Sequence, residues 1–371
     1  MKRLLLVGGG HSHVEVVRRF GIVPPPGTEV TLISSERHMP YSGMLPGHIA
    51  GHYGFHDMHV DLERLCRFAG IRFTVNEATG LDPIRRLLHC RDGGVAAFDI
   101  LSLDIGSTPD VVPGAATYAI SVKPVPRLLQ AWERILLAAR QTPQSIVIVG
   151  GGAGGVELAL AMEHRLRNER LRETTLAVVT DHQTLLPQHP PAAARLLERC
   201  LEHRAIALHR GSRVEAVEDG ALLLQNGRRL AARWVVWATS ASAQPWPASG
   251  GLETDARGFV MVDDTLRSTS HPCVFASGDC AHVAHRSLPK SGVYAVRQGP
   301  VLAENLKRAA RGAGLERYHP QRRALALIST GDRHAVATWG RLAFSGQWVW
   351  RWKDRIDRRF MAAFRSGESP A

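Results

Sequence analysis

Three glycines followed by two histidines, Gly8, Gly9, Gly10, His11 and His13 in LVGGGHSHVEV, close a short apolar run and open a helical pattern. Their spacing is G-x-G-x-x-G with His13 at the third glycine. In that motif the first glycine permits a tight turn, the second lets the backbone approach a diphosphate, and the third serves close helix-to-strand packing. Gly8 and Gly10 are the two that touch ligand. The substitution therefore costs packing and leaves the phosphate site on the amides of a helix N-terminus. His11 and His13, with Ser12 between them, either add donors beside the diphosphate or lie shielded at the helix start.

A second copy is complete. In SIVIVGGGAGGVELALAMEHRL, Gly150, Gly152 and Gly155 satisfy the whole pattern. Two loops of one kind imply two dinucleotides. A ribose-binding acid normally ends the next strand of such a unit. The first unit offers Ser34 and, two residues on, Glu36; the second offers Thr180 and Asp181. No arginine immediately follows either strand to take a 2′-phosphate, which favours NADH over NADPH.

The elements that must position these residues follow from hydrophobic patterning. LLLV, VEVVRRFG and EVTLIS form one β-α-β unit, and the pattern recurs from residue 145 to TLAVVT at 175–180. Gly8 and Gly150 lie 142 residues apart, so a whole domain is repeated. FDILSLDIGSTP and RWVVWATSASAQP each read as a strand ending in small residues and a proline, the first at Gly106 and Pro109. HPCVFASGDCAHVAH gives a short strand and a turn. Residues 291–312 read as a helix capped by Ser291, and the run from Tyr318 alternates, turns at Gly331 and Asp332, and alternates again. That is a hairpin, with a C-terminal helix after it.

The chain has 371 residues, 44% hydrophobic and 22% charged, the balance of a soluble globular protein of two or three domains. A net charge of +12 favours phosphates or anionic lipid, or reflects an arginine-rich composition with no partner attached; no nucleic-acid partner is inferred. The apolar run of MKRLLLV stops at the glycines, too short for a signal peptide, and no stretch approaches a membrane span. A cytoplasmic protein is expected. Five dispersed cysteines without a C-x-x-C argue against disulfides and zinc. His48, His52, His56 and His59 lack cysteines or a carboxylate in register, so no metal is expected.

The two glycine loops, the strand ends DIGSTP and ATSASAQP, and the turn FASGDCA resemble the two-dinucleotide flavoproteins, the pyridine nucleotide-disulfide oxidoreductases, over residues 1 to 312. Within them the chain is most similar to the type II NADH dehydrogenase and sulfide:quinone oxidoreductase branch. GGGHSHVEV, PYSGMLPGHIAGHY and LPKSGVYAVRQGP also resemble the flavoprotein module fused ahead of selenide, water dikinase, although no kinase domain follows here. The resemblance implies an α/β fold of two Rossmann-like doubly wound domains, one inserted in the other. The FAD domain would comprise 1–114 and 256–318, the NAD(P)H domain 115–255, and a C-terminal β-hairpin and amphipathic helix 319–371.

It also implies roles. Gly8, Gly10, Gly106, Gly278 and Asp279 would hold FAD, with Tyr41 of YSGML lining it. Gly292 and Val293 would open a helix aimed at the flavin pyrimidine ring, where a helix N-terminus stabilises the charge of reduced flavin. Lys290 would complement the flavin C2 carbonyl or steer an acceptor. Gly150, Gly152 and Gly155 would hold NADH, with Glu157 near the nicotinamide. The family's cysteine pair beside the flavin is missing, so dithiol exchange is not expected.

The expected function is an FAD-dependent NAD(P)H dehydrogenase that passes electrons to a quinone or similar acceptor. The alternatives are a flavin reductase linked to selenophosphate synthesis, or a low-turnover NADH- and flavin-binding partner protein. In QWVWRWKDRIDRRFMAAF, Trp348, Trp352, Ile356 and Phe360 recur at i+4 with Arg351, Lys353, Arg355, Arg358 and Arg359 beside them. Such a stripe suits an anionic membrane surface, on the inner face of the membrane, or docks on protein.

Overall fold

A computed structural model describes residues 1–110, 112–239, 241–286, 288–321 and 325–365. Leu4 to Val7 and Ile146 to Val149 are buried throughout. Continuous burial is what a central strand of a parallel sheet, covered on both faces, requires. Each run is the middle of five parallel strands. The first sheet is ordered Val274–Ala276, Ile100–Leu103, Lys2–Val7, Thr28–Ser34, Arg72–Val75. The second is ordered Ala119–Ser121, Trp234–Trp237, Ser145–Val149, Thr175–Val179, Ala207–His209. The two sheets share one plan, and the first takes its edge strand from far along the chain.

Each sheet carries a three-stranded antiparallel meander that hydrophobic patterning did not reveal, at residues 78–97 and 214–231. The strand ends DIGSTP and ATSASAQP meet: Thr108–Pro109 pairs antiparallel with Ala241–Ser242. Trp237 Nε1 and Thr239 Oγ1 both donate to the Asp110 carbonyl. Both passages of the chain between the sheets are thus joined in one short ribbon; Ser240 lies outside the described residues.

The helix expected at 291–312 is Gly292–Arg311, but Ser291 makes no side-chain capping bond. It packs on the first-loop helix His11–Ile22 at close range. A Cβ on Gly299 would come within 2.8 Å of Glu15 Cβ, and Ser12 Oγ donates to the Ala295 carbonyl at 2.8 Å.

The C-terminal region differs from expectation twice. The segment read as a hairpin is a three-stranded sheet, Ala326–Ser329, Ala335–Trp339 and Leu342–Gly346, because a further turn at Gly340 divides the second alternating run. Residues 322–324 and 366–371 of this region lie outside the described residues. The helix Gln347–Arg365 buries Val349, Lys353, Asp357, Met361 and Phe364, one position away from the tryptophan stripe. Lys353 therefore faces inward, and Trp348, Trp352 and Ile356 stay exposed at 56%, 39% and 40%.

The first strand pair of this sheet is seated on the second-loop helix. Gly331 has φ +85°, and a Cβ there would overlap the Leu160 carbonyl. Gly331→Ala is expected to destabilise the protein by about 2 kcal/mol through backbone strain and overlap, read as a lower thermal midpoint. An unchanged midpoint would mean that the turn does not rest on that helix.

Candidate functional site

Both glycine loops solve the same packing problem. Gly8 and Gly150 adopt φ +92° and +134°, and a Cβ on either would overlap a carbonyl at the end of the neighbouring strand, Asp104 or Ala238. Gly152 opens the helix Ala153–Asn168, and no described residue comes within 4 Å of its Cβ position. Gly155 passes so close to the Gly150 carbonyl that no side chain fits. That is the expected division of labour, with Gly152 left open to a diphosphate.

The first loop solves it differently at His13. Its ring is fully buried, with Nδ1 2.7 Å from the Gly8 carbonyl and Nε2 2.8 Å from Ser102 Oγ. A carbonyl only accepts, so Nδ1 carries the proton and Nε2 accepts from the serine. Gly8 O is the counterpart of the Gly150 carbonyl that excludes a side chain from Gly155. Ser102 pairs with Leu6 where Val236 pairs with Ile148 in the other sheet. A small hydroxyl in place of valine gives the imidazole both room and a partner. The ring replaces close packing with two hydrogen bonds and is not a phosphate donor. Burial lowers its pKa to about 4 and keeps it neutral.

His11 is different. Its Nε2 is buried without a partner among the described residues, and the Cβ position of Gly292 lies 3.6 Å from it. Burial lowers this pKa also to about 4. Around it stand Tyr41, 5.6 Å away between ring centroids, and Phe360, 6.4 Å away; Tyr41 and Phe360 stack at 4.4 Å. An orphaned ring nitrogen at the N-terminus of the long helix fits a polar ligand group placed there. Val293 is exposed beside it.

Asp279 accepts from Lys123 Nζ at 2.7 Å and from Ser107 Oγ at 3.3 Å, and the lysine also donates to Ser107 at 2.9 Å. Burial pushes the Asp279 carboxyl up, but the charge and hydrogen bond of Lys123 outweigh it and hold the group below its ordinary value. Lys123 follows a strand of the second sheet, so this ion pair ties the two halves. Sequence reasoning missed it, since nothing local marks a lysine whose partner is 156 positions away. Gly106 and Gly278, at φ +68° and +65°, shape the turns on either side.

The acids expected at the riboses also have counterparts. Ser34 ends its strand and Thr180 directly follows the equivalent one, and each hydroxyl accepts the amide two residues on, from Glu36 and from His182, at 3.3 Å. Glu36 thus lies at the rim of the first site, its carboxyl raised by burial. Asp181 is exposed at the second. Lys290 lines one cavity with Gly278, Asp279 and Ser291; its amine donates to the Ala281 carbonyl and lies 3.9 Å above the Phe259 ring, and burial lowers its pKa. Glu157 accepts the Ser329 amide at 2.7 Å, and burial raises its carboxyl to about 7 against the pull of Lys353.

With this geometry, the family description for pyridine nucleotide-disulphide oxidoreductases matches residues 2–299. The chain belongs to this family. An NADH dehydrogenase-like protein of Mycobacterium tuberculosis is 28% identical over 223 residues, 57% of this chain and 56% of the relative. The chain thus matches only about half the length of that curated relative. A type II NADH:quinone oxidoreductase of Staphylococcus epidermidis is 22% identical over 342 residues, 85% of each chain. The crystal structure of the sulfide:quinone oxidoreductase from Aquifex aeolicus superimposes with a TM-score of 0.83 at 19% identity, covering 99% of this chain and 92% of that one.

In this pyridine nucleotide-disulphide oxidoreductase all five cysteines are free. Cys66 and Cys280 are buried, and burial pushes both thiols up to about 12, far from the thiolate that exchange chemistry needs. His48, His52 and His59 each point a ring nitrogen at a backbone carbonyl. No group of three metal-ligating side chains is assembled among the described residues.

His13→Asn is expected to lower stability by about 2 kcal/mol near neutral pH, through lost hydrogen bonds and packing. The folded pKa of His13 lies below its unfolded value of about 6.5, so the unfolded chain binds more protons between the two. The stability His13 contributes is therefore complete above about pH 6.5 and is lost as pH falls toward about 4. The gap between wild type and variant should narrow over that window in thermal melts; a constant gap would exclude a buried neutral ring.

Proposed function

We propose that this chain is an FAD-dependent NAD(P)H oxidoreductase of the NADH dehydrogenase type, taking hydride from NADH and handing electrons to a quinone or similar acceptor. The observation that carries the reading is the pair of equivalent glycine loops, on matching sheets, bridged by Lys123 and Asp279. When bound, FAD supplies hydride acceptance and onward electron transfer. The first loop, with Gly8, Gly10 and the amide of His11, suits its diphosphate, Glu36 its ribose, and Asp279 its ribityl portion. The N-terminus at Gly292 and the ring of His11 face the position assigned to the pyrimidine edge, where a helix dipole favours negative charge. The second loop suits NADH, with Thr180 and Asp181 at the ribose. We assign 1–114 and 256–318 to the FAD unit, 115–255 to the NAD(P)H unit and 319–371 to the C-terminal region.

Two further features agree. The buried Cys66 and Cys280 thiols, pushed up to about 12, suit electron transfer from flavin to acceptor without a dithiol step. The relatives named above include proteins described by their quinone acceptors. Anaerobic addition of NADH to the purified holoprotein is expected to bleach the flavin spectrum, and a quinone to restore it. A spectrum unmoved by NADH overturns the dehydrogenase reading, and failure of quinones to restore colour removes that acceptor class.

We also infer peripheral attachment to an anionic membrane surface. No helix among the described residues is long and apolar enough to cross a bilayer. The exposed face of Gln347–Arg365 nevertheless presents Trp348, Trp352 and Ile356 beside exposed Arg351, Arg355 and Arg359, and the preceding strands leave Trp339, Leu342 and Phe344 exposed. Apolar rings beside a row of arginines match a headgroup interface. Wild type should float with anionic liposomes, and a Trp348→Ser, Trp352→Ser, Ile356→Ser variant should not. If wild type stays in the soluble fraction, the inference fails.

A further inference from the structure

The end of the first-loop helix already holds an anion that belongs to the protein. Asp104, at the end of strand Ile100–Leu103, accepts the amides of Ser12 at 2.8 Å and His13 at 3.0 Å through one carboxylate oxygen. It is 3% exposed and lies among glycines of two turns: Cβ atoms on Gly8 and Gly10 of the first loop and on Gly278 would all run into it. Gly10 caps this helix without a side chain, and Asp104 supplies from across the sheet the capping carboxylate that a local residue would normally give. The second loop has no such group, since Ala238 stands at the corresponding strand end.

A helix N-terminus has few free amides and a limited positive potential. A diphosphate seated on this loop shares both with Asp104, at short range and in a site shielded from water, where like charges oppose each other strongly. We propose that Asp104 is a positioning residue that sets FAD affinity: its carboxyl caps the helix when the site is empty and opposes the diphosphate unless it carries a proton. This rests on the reading of the first loop as the FAD loop.

The surroundings leave Asp104 as the group free to take that proton. On the first helix, the His13 ring is neutral and fully bonded. On the turn that follows strand Val274–Ala276, Asp279 is ionised and paired with Lys123, and the Cys280 thiol is bonded to the Ser277 carbonyl at 3.1 Å. On the long helix, Gln298 accepts the Gly278 amide at 2.7 Å and carries no charge. Among the described residues no cation is paired with Asp104, and burial, with the charge of Asp279 adding to it, raises its carboxyl to about 7.

FAD release from the holoprotein, followed by the return of flavin fluorescence on dilution, tests this from about pH 6 to about pH 8.5. The wild-type Kd should be flat at the acid end and rise by up to about tenfold per pH unit above about 7, because binding takes up a proton onto Asp104. Asp104→Asn, which keeps an acceptor for the two amides, should bind tightly with no pH step. Indicator dye in weak buffer should register proton uptake on FAD binding to wild type near pH 8 and none with the variant. Asp104→Ala should share the flat affinity profile but melt lower, having lost the cap. A wild-type Kd independent of pH, or the same slope in Asp104→Asn, overturns the proposal while leaving the FAD site intact. No FAD binding at any pH overturns the loop assignment and the proposal with it.

Discussion

Two backbone carbonyls govern this molecule. At Gly8 and again at Gly150 the chain must leave a buried strand, turn within a residue or two, and start a helix whose first turn lies almost in contact with the carbonyl just passed. Everything that could bind a nucleotide depends on that proximity, because only then do the helix amides face the open end of the sheet. One loop meets the constraint by having no side chain at Gly155. The other meets it with the ring of His13, which bonds to the carbonyl where Gly155 merely clears it. The two solutions require different neighbours, valine in one sheet and serine in the other, so neither loop can be exchanged for its counterpart without changing the strand beside it.

Much of this was legible in the sequence because the relevant signals are local. Strand, turn and helix follow one another within a few residues at both loops, and glycines at Gly8, Gly10, Gly150, Gly152 and Gly155 stand where the geometry needs them. The rest involves partners far apart in the chain. Ser102 gives His13 its role from 89 residues away, Asp104 reaches back to Ser12 across 92, and Lys123 and Asp279 are separated by 156. The meanders were not legible because their strands are only three to five residues long, too short for a periodic pattern to stand out even where, as in Ala221–Leu224, they are largely buried. The contacts of Lys290 were not legible because its direct partners, the Ala281 carbonyl and the Phe259 ring, carry no charge.

The C-terminal helix shows a different limit. Its tryptophans have the spacing of a buried stripe, yet the adjacent row is the one buried. Lys353 Nζ donates to Asp357 at 2.6 Å and to the Gly43 carbonyl, and Tyr53 donates to Asp354 at 2.7 Å. The ion pair lies within the helix and would turn with it, but a rotation by one residue would break the bonds to Gly43 and Tyr53 and leave buried polar groups of the neighbouring segment without their partners. Specific polar contacts thus fix a rotation that hydrophobicity alone would have assigned otherwise, and so leave large aromatic side chains facing solvent.

The short ribbon formed by Thr108–Pro109 and Ala241–Ser242 has a mechanical meaning. Two antiparallel segments bonded side by side resist being slid past each other, since sliding breaks their pairing, but they offer little resistance to twisting about their common axis. The ribbon therefore holds the separation of the two halves, while the angle between them is held by packing: one continuous core reaches both sheets, and the helix Leu45–Ile49 lies against the second-loop helix.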